Sequence, residues 1–411
     1  MLFGYKHRLF IWQFFLVLIF ILICIQLFNL QVIKSSGIIS EAKKQFFKQI
    51  IFLRGDIRDR YGNLLVIDTI TFDLYNNVRN MNSIPEEKIE ILGKMLNIKT
   101  EGLKKKLNQK INTRILSGID ENTVKKITNS KIDFVYSMPI VTRIYPHKRM
   151  AAHVIGFVNI DRKGQHGVES YHENLITKVS EKNSIVQPFP KGTDIILTID
   201  SVLQEYAEEE LNSAIVKSKG QKGAILVLSP KTGEIYAWAV YPSFDPNTFY
   251  KEKIIKNWSI TDIYEPGSTF KAVTVSCALE NMTIDKDSTF FDPGFLKVDK
   301  RIIKNHDKTK PQEINLLELF KQSSNVAAAQ VALTMKPEEF YSCIKKFKIG
   351  NKTNIDLTGE SSGLLLNSSK WRKLDLATTA FGQGAVSVTP LQLASAISII
   401  ANHGFGLSHI F

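Results

Sequence analysis

Hydrophobic and polar positions divide this chain into segments with different periods. Residues 9–28 are almost continuously apolar, interrupted only by Gln13 and Gln26. Twenty helical residues rise roughly 30 Å, the thickness of a bilayer's hydrocarbon core. Lys6, His7 and Arg8 precede the run, and the positive-inside rule then leaves residues 1–8 in the cytoplasm. The run is too long for a cleaved signal's apolar region, and no small-x-small cleavage site follows. The pattern predicts a signal anchor, with everything after about residue 34 outside the cytoplasm.

Beyond the anchor the period shortens. Residues 46–53, rich in Phe and Ile, predict a strand, and Tyr61-Gly62-Asn63 predicts a turn between two apolar runs. Residues 85–130 predict short helices, one opened by Pro85 and another by Asp120-Glu121-Asn122. Tyr136 to Tyr145 returns to a strand pattern. Punctuation at Pro188 to Gly192 marks a domain boundary, so one domain is expected over 34–185 and a second over 190–411. In the second, Asp200 is a good N-cap for a helix through Leu211. The strands Ala224–Leu228 and Glu234–Ala239 flank a Pro230-Lys231-Thr232-Gly233 turn, and helices follow from Ser268 onward. The expected class is α+β: a transmembrane helix, a β-rich domain with short helices, then helices on an antiparallel sheet.

Composition narrows the function by exclusion. The 411 residues carry a formal charge of +13, but the lysines are dispersed and no basic stripe interleaves with aromatics, so nucleic acid is not the expected partner. Attraction to anionic lipid head groups or wall polymers is a weaker reading of the same charge. Three cysteines, Cys24, Cys277 and Cys343, provide no disulfide framework. The eight histidines are scattered without metal-ligand spacing, and no metal or cofactor is expected.

The chemistry lies in Glu265-Pro266-Gly267-Ser268-Thr269-Phe270-Lys271, with Ser323-Ser324-Asn325 beginning 55 residues after Ser268. On a helix, positions i and i+3 share a face, so Lys271 can lie against the Ser268 hydroxyl. Pro266 and Gly267 stand where a helix would begin, which puts Ser268 at the positive end of its dipole. An ammonium cannot accept a proton, so the pair works only with Lys271 held neutral, and burial lowers a lysine pKa readily. Ser323 and Asn325 would pass the proton onward and hold the lysine. This is the logic of a serine acyltransferase. Ser-x-x-Lys occurs also at Ser40–Lys43 and Ser342–Lys345, where a solvated helix face is the simpler explanation. Only Ser268 has the Pro-Gly lead-in and the downstream Ser-x-Asn.

That combination marks penicillin-binding proteins and serine β-lactamases. Over nearly its whole length the chain resembles the class B penicillin-binding proteins, bitopic D,D-transpeptidases of septal or lateral wall synthesis. Arg54-Gly55 through Asp59-Arg60-Tyr61-Gly62 is similar to the start of that family's non-catalytic pedestal, a dimerisation-type domain. Arg143-Ile144-Tyr145-Pro146, Ala151 to Phe157 and Gly164 to Glu169 are similar to its continuation. Thr198-Ile199-Asp200 and Pro242 to Asn247 look like the opening of its transpeptidase domain. Ala380-Phe381-Gly382-Gln383-Gly384 with Val388 to Gln392 resembles a late block.

The resemblance implies cross-linking of peptidoglycan stem peptides ending in D-Ala-D-Ala. Ser268 would be the nucleophile, Lys271 its base and Ser323 the proton relay, while Asn325 would orient Lys271 and the acyl amide. β-Lactams would acylate Ser268. It also implies a single-pass plasma-membrane protein (or a plastid-membrane one) with its catalytic domain outside. A polytopic glycosyltransferase and other division or elongation proteins would be its partners. The family's third motif, Lys-Thr/Ser-Gly, would follow the Gly-Gln-Gly block, yet Phe411 comes about twenty residues beyond that block without it. Lys231-Thr232-Gly233 reads as a hairpin turn instead. An incomplete sequence and a truncated, impaired homologue acting as a membrane scaffold both remain open. A β-lactamase or β-lactam sensor is the third reading, less favoured because no deacylating carboxylate motif is apparent.

Overall fold

The turn expected at Tyr61-Gly62-Asn63 sets the first strands. Gly62 sits at φ 87°, its N–H donates to Asp59 O, and Asp59 N–H donates to Asn63 O. The turn joins strand Ile57–Arg58 to the long strand Leu64–Asn76. The computed structural model of the chain describes residues 17, 19–23, 26, 52–77, 84–109, 111–178, 189–253, 255–307, 311–406 and 408–411. The expected anchor at 9–28 and the expected strand at 46–53 lie largely outside them, as does Cys24. Among the described residues, no helix is long and apolar enough to cross a membrane.

The described residues form two compact units, one of 1–53 with 179–191, the other of 54–178 with 192–411. In the first, Leu53 bridges in parallel to Lys191. The second holds a five-stranded sheet. Its central strand Leu64–Asn76 pairs antiparallel with Val135–Ile144 along ten residues, Ile67↔Ile144 through Asn76↔Val135. Strand Ile195–Ile196 joins parallel to Ile57–Arg58 and so ties the segment after the boundary to the first strands.

Residues 85–130 are not all helical. Helices Glu86–Leu96, Thr100–Leu107 and Glu121–Asn129 are present, but Arg114–Ile119 is a strand on the sheet edge. Only Ile115 and Ile119 of that strand are buried, and Gly118 at φ 76° breaks its alternation, so its pattern is weak in sequence. Asp120 caps the last helix, accepting from Thr123 N. These helices and strands close over Leu74, Leu92, Leu103, Leu107, Ile115 and Phe134.

A buried ionic network ties the family-like segments together. Arg54 donates to Glu169 Oε2 at 2.6 Å and to Glu173 Oε2 at 2.8 Å. Arg143 donates to Glu169 Oε1 at 2.7 Å, to Asp68 Oδ1 at 3.3 Å and to the Gly55 carbonyl at 2.9 Å. Arg54, Arg143, Asp68 and Glu169 are all buried, so each charge depends on its partners for solvation.

From Asp200 the chain builds the second layer. Asp200 caps its helix, accepting from Val202 N and Leu203 N, but the helix runs Ser201–Ser218 rather than ending at Leu211. Its buried face, Gln204, Ala207, Leu211 and Ile215, covers the hairpin of Gly223–Leu228 and Ile235–Tyr241 and continues past Leu211. In the intervening turn Gly233 lies at φ 80° and donates to Ser229 O, so Lys231-Thr232-Gly233 is a structural turn.

The helical half contradicts one expectation outright. Cys277 and Cys343 form a disulfide with Cα atoms 5.7 Å apart, joining helices Lys271–Glu280 and Pro337–Lys346. An odd cysteine count gave no pairing signal, and it is helix packing that brings the two thiols together. The closed loop of 66 residues contains Ser323–Asn325, and restricting such a loop stabilises a fold by about 4 kcal/mol in the chain-entropy account.

Removing Glu169 from the ionic network leaves two buried guanidiniums, Arg54 and Arg143, short of one compensating charge. Glu169→Gln is expected to cost about 3–5 kcal/mol, read as a lowered midpoint in thermal or urea unfolding. A loss under about 1 kcal/mol would mean the network is solvated.

Candidate functional site

Ser268 sits on a single 3-10 turn, Gly267–Phe270, that runs directly into helix Lys271–Glu280. Pro266 and Gly267 do open it, as their order suggests. The tight turn followed by the helix puts Ser268 and Lys271 on one side, with Lys271 Nζ 3.1 Å from Ser268 Oγ. Phe270 and Val273 anchor the turn in the core. Ser268 is exposed while Lys271 is 1 % exposed, so an accessible hydroxyl stands over a buried amine.

The turn is backed by the late block of the sequence. Gly267 N–H donates to Gly382 O at 3.1 Å. Gly382, at φ 71°, approaches so closely that a Cβ there would lie 2.4 Å from Gly267 O. Thr274 Oγ1 donates to Ala380 O at 2.8 Å, and Gly384 N–H donates to Glu265 Oε1 at 2.9 Å. Tyr264 and Val388 exchange backbone hydrogen bonds. The Ala380–Gly384 segment is therefore a wall behind the serine.

Ser323 comes from the junction between helix Leu316–Gln322 and helix Asn325–Leu333. It adopts the left-handed conformation, φ 52° and ψ 42°, and turns both its oxygens toward Lys271. Lys271 Nζ lies 2.9 Å from Ser323 Oγ and also donates to the Ser323 carbonyl. A neutral amine has two N–H groups and one lone pair. With the N–H groups directed at Ser323, the lone pair is left for the Ser268 hydroxyl proton. Burial lowers the Lys271 pKa to about 8. At pH 7 about a tenth of the molecules then carry the free amine, against about three in ten thousand for an ordinary lysine.

Asn325 does not hold Lys271, contrary to the reading from spacing. Its side-chain amide donates to Lys304 O at 3.1 Å, and its backbone N–H donates to Asn305 Oδ1 at 2.9 Å. As the first residue of a helix it is drawn to strand Arg301–Lys304 and away from the amine. Asn305 and Asp292, which support this junction, were not singled out by sequence reasoning. Their only signal is an Asp-Pro-Gly turn at 292–294 and an asparagine at the end of a short strand. Among the described residues no cluster of His, Cys, Asp or Glu could hold a metal ion.

A buried lysine between two hydroxyls at the start of helix Lys271–Glu280 is the arrangement that nucleophilic catalysis by the serine would need. The sequence matches the penicillin binding protein transpeptidase domain over residues 223–408 and the penicillin-binding protein dimerisation domain over 52–185. It is 30% identical to the peptidoglycan D,D-transpeptidase FtsI homolog of Mesostigma viride, across 98% of this chain and 72% of that protein. It is 31% identical to the homolog of Chlorokybus atmophyticus, across 92% of this chain and 60% of that one. To the FtsI of Escherichia coli K12 it is 28% identical, across 91% and 67%. Penicillin Binding Protein 2X of Streptococcus thermophilus has the same fold, with a TM-score of 0.75 at 23% identity, over 88% of this chain and 60% of that one. The chain belongs to the class B penicillin-binding proteins.

The lowered lysine pKa fixes the sign of a pH effect. Acylation of Ser268 by an activated ester such as p-nitrophenyl acetate is expected to rise about tenfold from pH 7, half-maximal at about 8 and level above about 9. A rate still climbing steeply between pH 9 and 10 would place Lys271 at an ordinary lysine value.

Proposed function

We propose that this chain is a serine-type peptidoglycan D,D-transpeptidase that cross-links stem peptides in cell-wall synthesis and division. The observation that carries the proposal is the buried Lys271 amine in hydrogen-bond reach of both the Ser268 and Ser323 hydroxyls. Ser268 Oγ attacks the penultimate D-alanine carbonyl of a stem pentapeptide, and its proton passes to Lys271 Nζ. The tetrahedral intermediate collapses with cleavage of the C–N bond as Ser323 Oγ gives its proton to the departing D-alanine amine and takes one from Lys271 Nζ, which is neutral again for the second step. An amine of a neighbouring stem then attacks the acyl-enzyme, gives its proton back through Lys271, and releases Ser268 with a new peptide bond. Asn325, fixed on Lys304 O, offers its amide oxygen to the acyl amide of the substrate. β-Lactams acylate the same serine as substrate mimics. None of these steps calls for a metal or cofactor.

The wider assignment rests on family membership. Residues 9–28 anchor the chain in a membrane with 1–8 on the cytoplasmic side, 34–185 form the pedestal, and 190–411 carry the chemistry outside the cytoplasm. A related structure is described as a complex between Penicillin-Binding Protein PBP2 and MreC of Helicobacter pylori, at 22% identity and a TM-score of 0.70. By analogy with that complex, partners of the division or elongation kind belong to this proposal, and a polytopic glycosyltransferase is a further partner proposed without a counterpart in that complex.

The test is covalent labelling. The full-length protein incubated with a fluorescent penicillin is expected to carry one label, located on Ser268 by peptide mass spectrometry and abolished in Ser268→Ala. The adduct should clear very slowly. No label on the folded parent would reject the transpeptidase reading, and rapid turnover of a chromogenic cephalosporin would point to a β-lactamase.

A further inference from the structure

Ser323 is held in an unfavourable backbone conformation by groups that touch neither Ser268 nor Lys271. For a residue with a Cβ the left-handed region is disfavoured, and here two helices meet around it without a glycine. Ser323 N–H donates to Phe320 O and Ser324 N–H to Leu319 O, closing the end of the first helix. The second helix begins two residues later with its first N–H groups in need of acceptors.

Those acceptors form a closed ring. Asn305 Oδ1 accepts from Asn325 N at 2.9 Å and from Val326 N at 3.1 Å. Ser324 Oγ accepts from Ala327 N at 3.0 Å. The Asn305 amide is fixed in turn, because its Nδ2 donates to Asp292 Oδ2 at 2.8 Å. Ser324 Oγ donates to the same Asp292 oxygen at 2.6 Å. The other Asp292 oxygen accepts from Gly294 N at 2.8 Å, which locks the carboxyl into its own turn. Asp292 is fully buried and Ser324 is 1 % exposed, so water does not compete for these bonds. Three bonds from Asp292 and Asn305 thus converge on residues 324–326, immediately after the residue whose two oxygens grip Lys271.

We propose that Asp292 and Asn305 are positioning residues for the acyl transfer, holding Ser323 in the left-handed geometry that presents its hydroxyl and carbonyl together to Lys271. This rests on the transpeptidase reading above for its rate, but not for its geometry. When the ring is broken, the junction relaxes toward ordinary backbone angles and Ser323 withdraws. The amine then loses the acceptors that keep its lone pair aimed at Ser268, and water reaches it. Displacing a reacting group by about 1 Å in this way can cost 10²-fold in rate.

Other charges do not confuse the titration of Lys271. Helices Asn325–Leu333 and Pro390–Ala401, which pack on the lysine helix, carry no charged residue. On the third, Pro337–Lys346, Lys346 pairs with Glu280, Lys345 donates to Asn351, and Glu338 and Glu339 lie in the first turn. The serine turn Gly267–Phe270 adds none. Asp292 reaches the amine only through the Ser324 junction.

The experiment compares the full-length parent with Asp292→Asn, which keeps the shape but sets two amide donors against each other, and with Asn305→Leu, which removes the acceptor. Two quantities are read: the acylation rate constant with a fluorescent penicillin, separated from its binding constant, and the pH midpoint of Lys271 in competitive acetylation followed by mass spectrometry. Both variants should acylate ~10²-fold more slowly with little change in the binding constant. Their Lys271 midpoint should move up from about 8 toward 10.5. Parent values for both readouts in a folded variant overturn the proposal. So does a rate that falls only in step with the folded fraction while Lys271 titrates unchanged. Ser324→Ala, lacking a single hydroxyl, carries the same test if the other two variants do not fold. A parent that takes no penicillin rejects the transpeptidase reading, and the acetylation midpoint still decides the positioning claim.

Discussion

The chemistry of this protein depends on keeping one amine out of water. Lys271 is nearly fully buried, yet its Nζ meets three oxygens, from Ser268 and twice from Ser323. Burial disfavours the ammonium, and the oxygens satisfy the neutral amine. The cost of holding the charged form there below pH 8 is about 3 kcal/mol, from a pKa lowered from 10.5 to about 8. The group contributes most unfavourably to stability below that pKa, and the cost fades as the pH rises toward 10.5. Stability is sacrificed at the place where reactivity is needed.

The surrounding structure supplies the rigidity this requires. The serine turn is pressed against Gly382, the lysine helix is tied to its neighbour through Cys277 and Cys343, and the Ser323 junction is gripped through Asp292 and Asn305. Each support comes from a different stretch of the chain. The alanines of helix Asn325–Leu333 let it pack closely against the lysine helix, with Ala327, Ala328 and Ala329 fully buried. The Arg54, Arg143, Asp68 and Glu169 network ties strand Leu64–Asn76 to its partner Val135–Ile144 and to helix Gly167–Tyr171.

Local signals in the sequence carried well. Pro266-Gly267 before Ser268, Asp200 and Asp120 as caps, and Tyr61-Gly62-Asn63 as a turn each act within a few residues, and the structure keeps all of them. What escaped was set by tertiary contact. Arg114–Ile119 buries two of its apolar side chains and became a strand only through its partner Leu64–Asn76. The Cys277–Cys343 bond links residues that only helix packing makes neighbours. Asn325 was read as a partner for Lys271 because Ser-x-Asn spacing suggests a shared role. A helix start at Asn325 instead turns its amide to Lys304.

The central claim is that burial brings Lys271 down to a pKa of about 8 in the folded protein, so that a usable fraction is free amine near neutral pH. Titration of its Cε and Nζ resonances by heteronuclear NMR, with Lys271→Arg for assignment, measures this without reference to any substrate. The account predicts a midpoint at about 8 in the folded state and an ordinary lysine value after denaturation. A folded-state midpoint near 10.5 would contradict it, because the amine beside Ser268 would then be an ammonium with no lone pair to take the serine's proton.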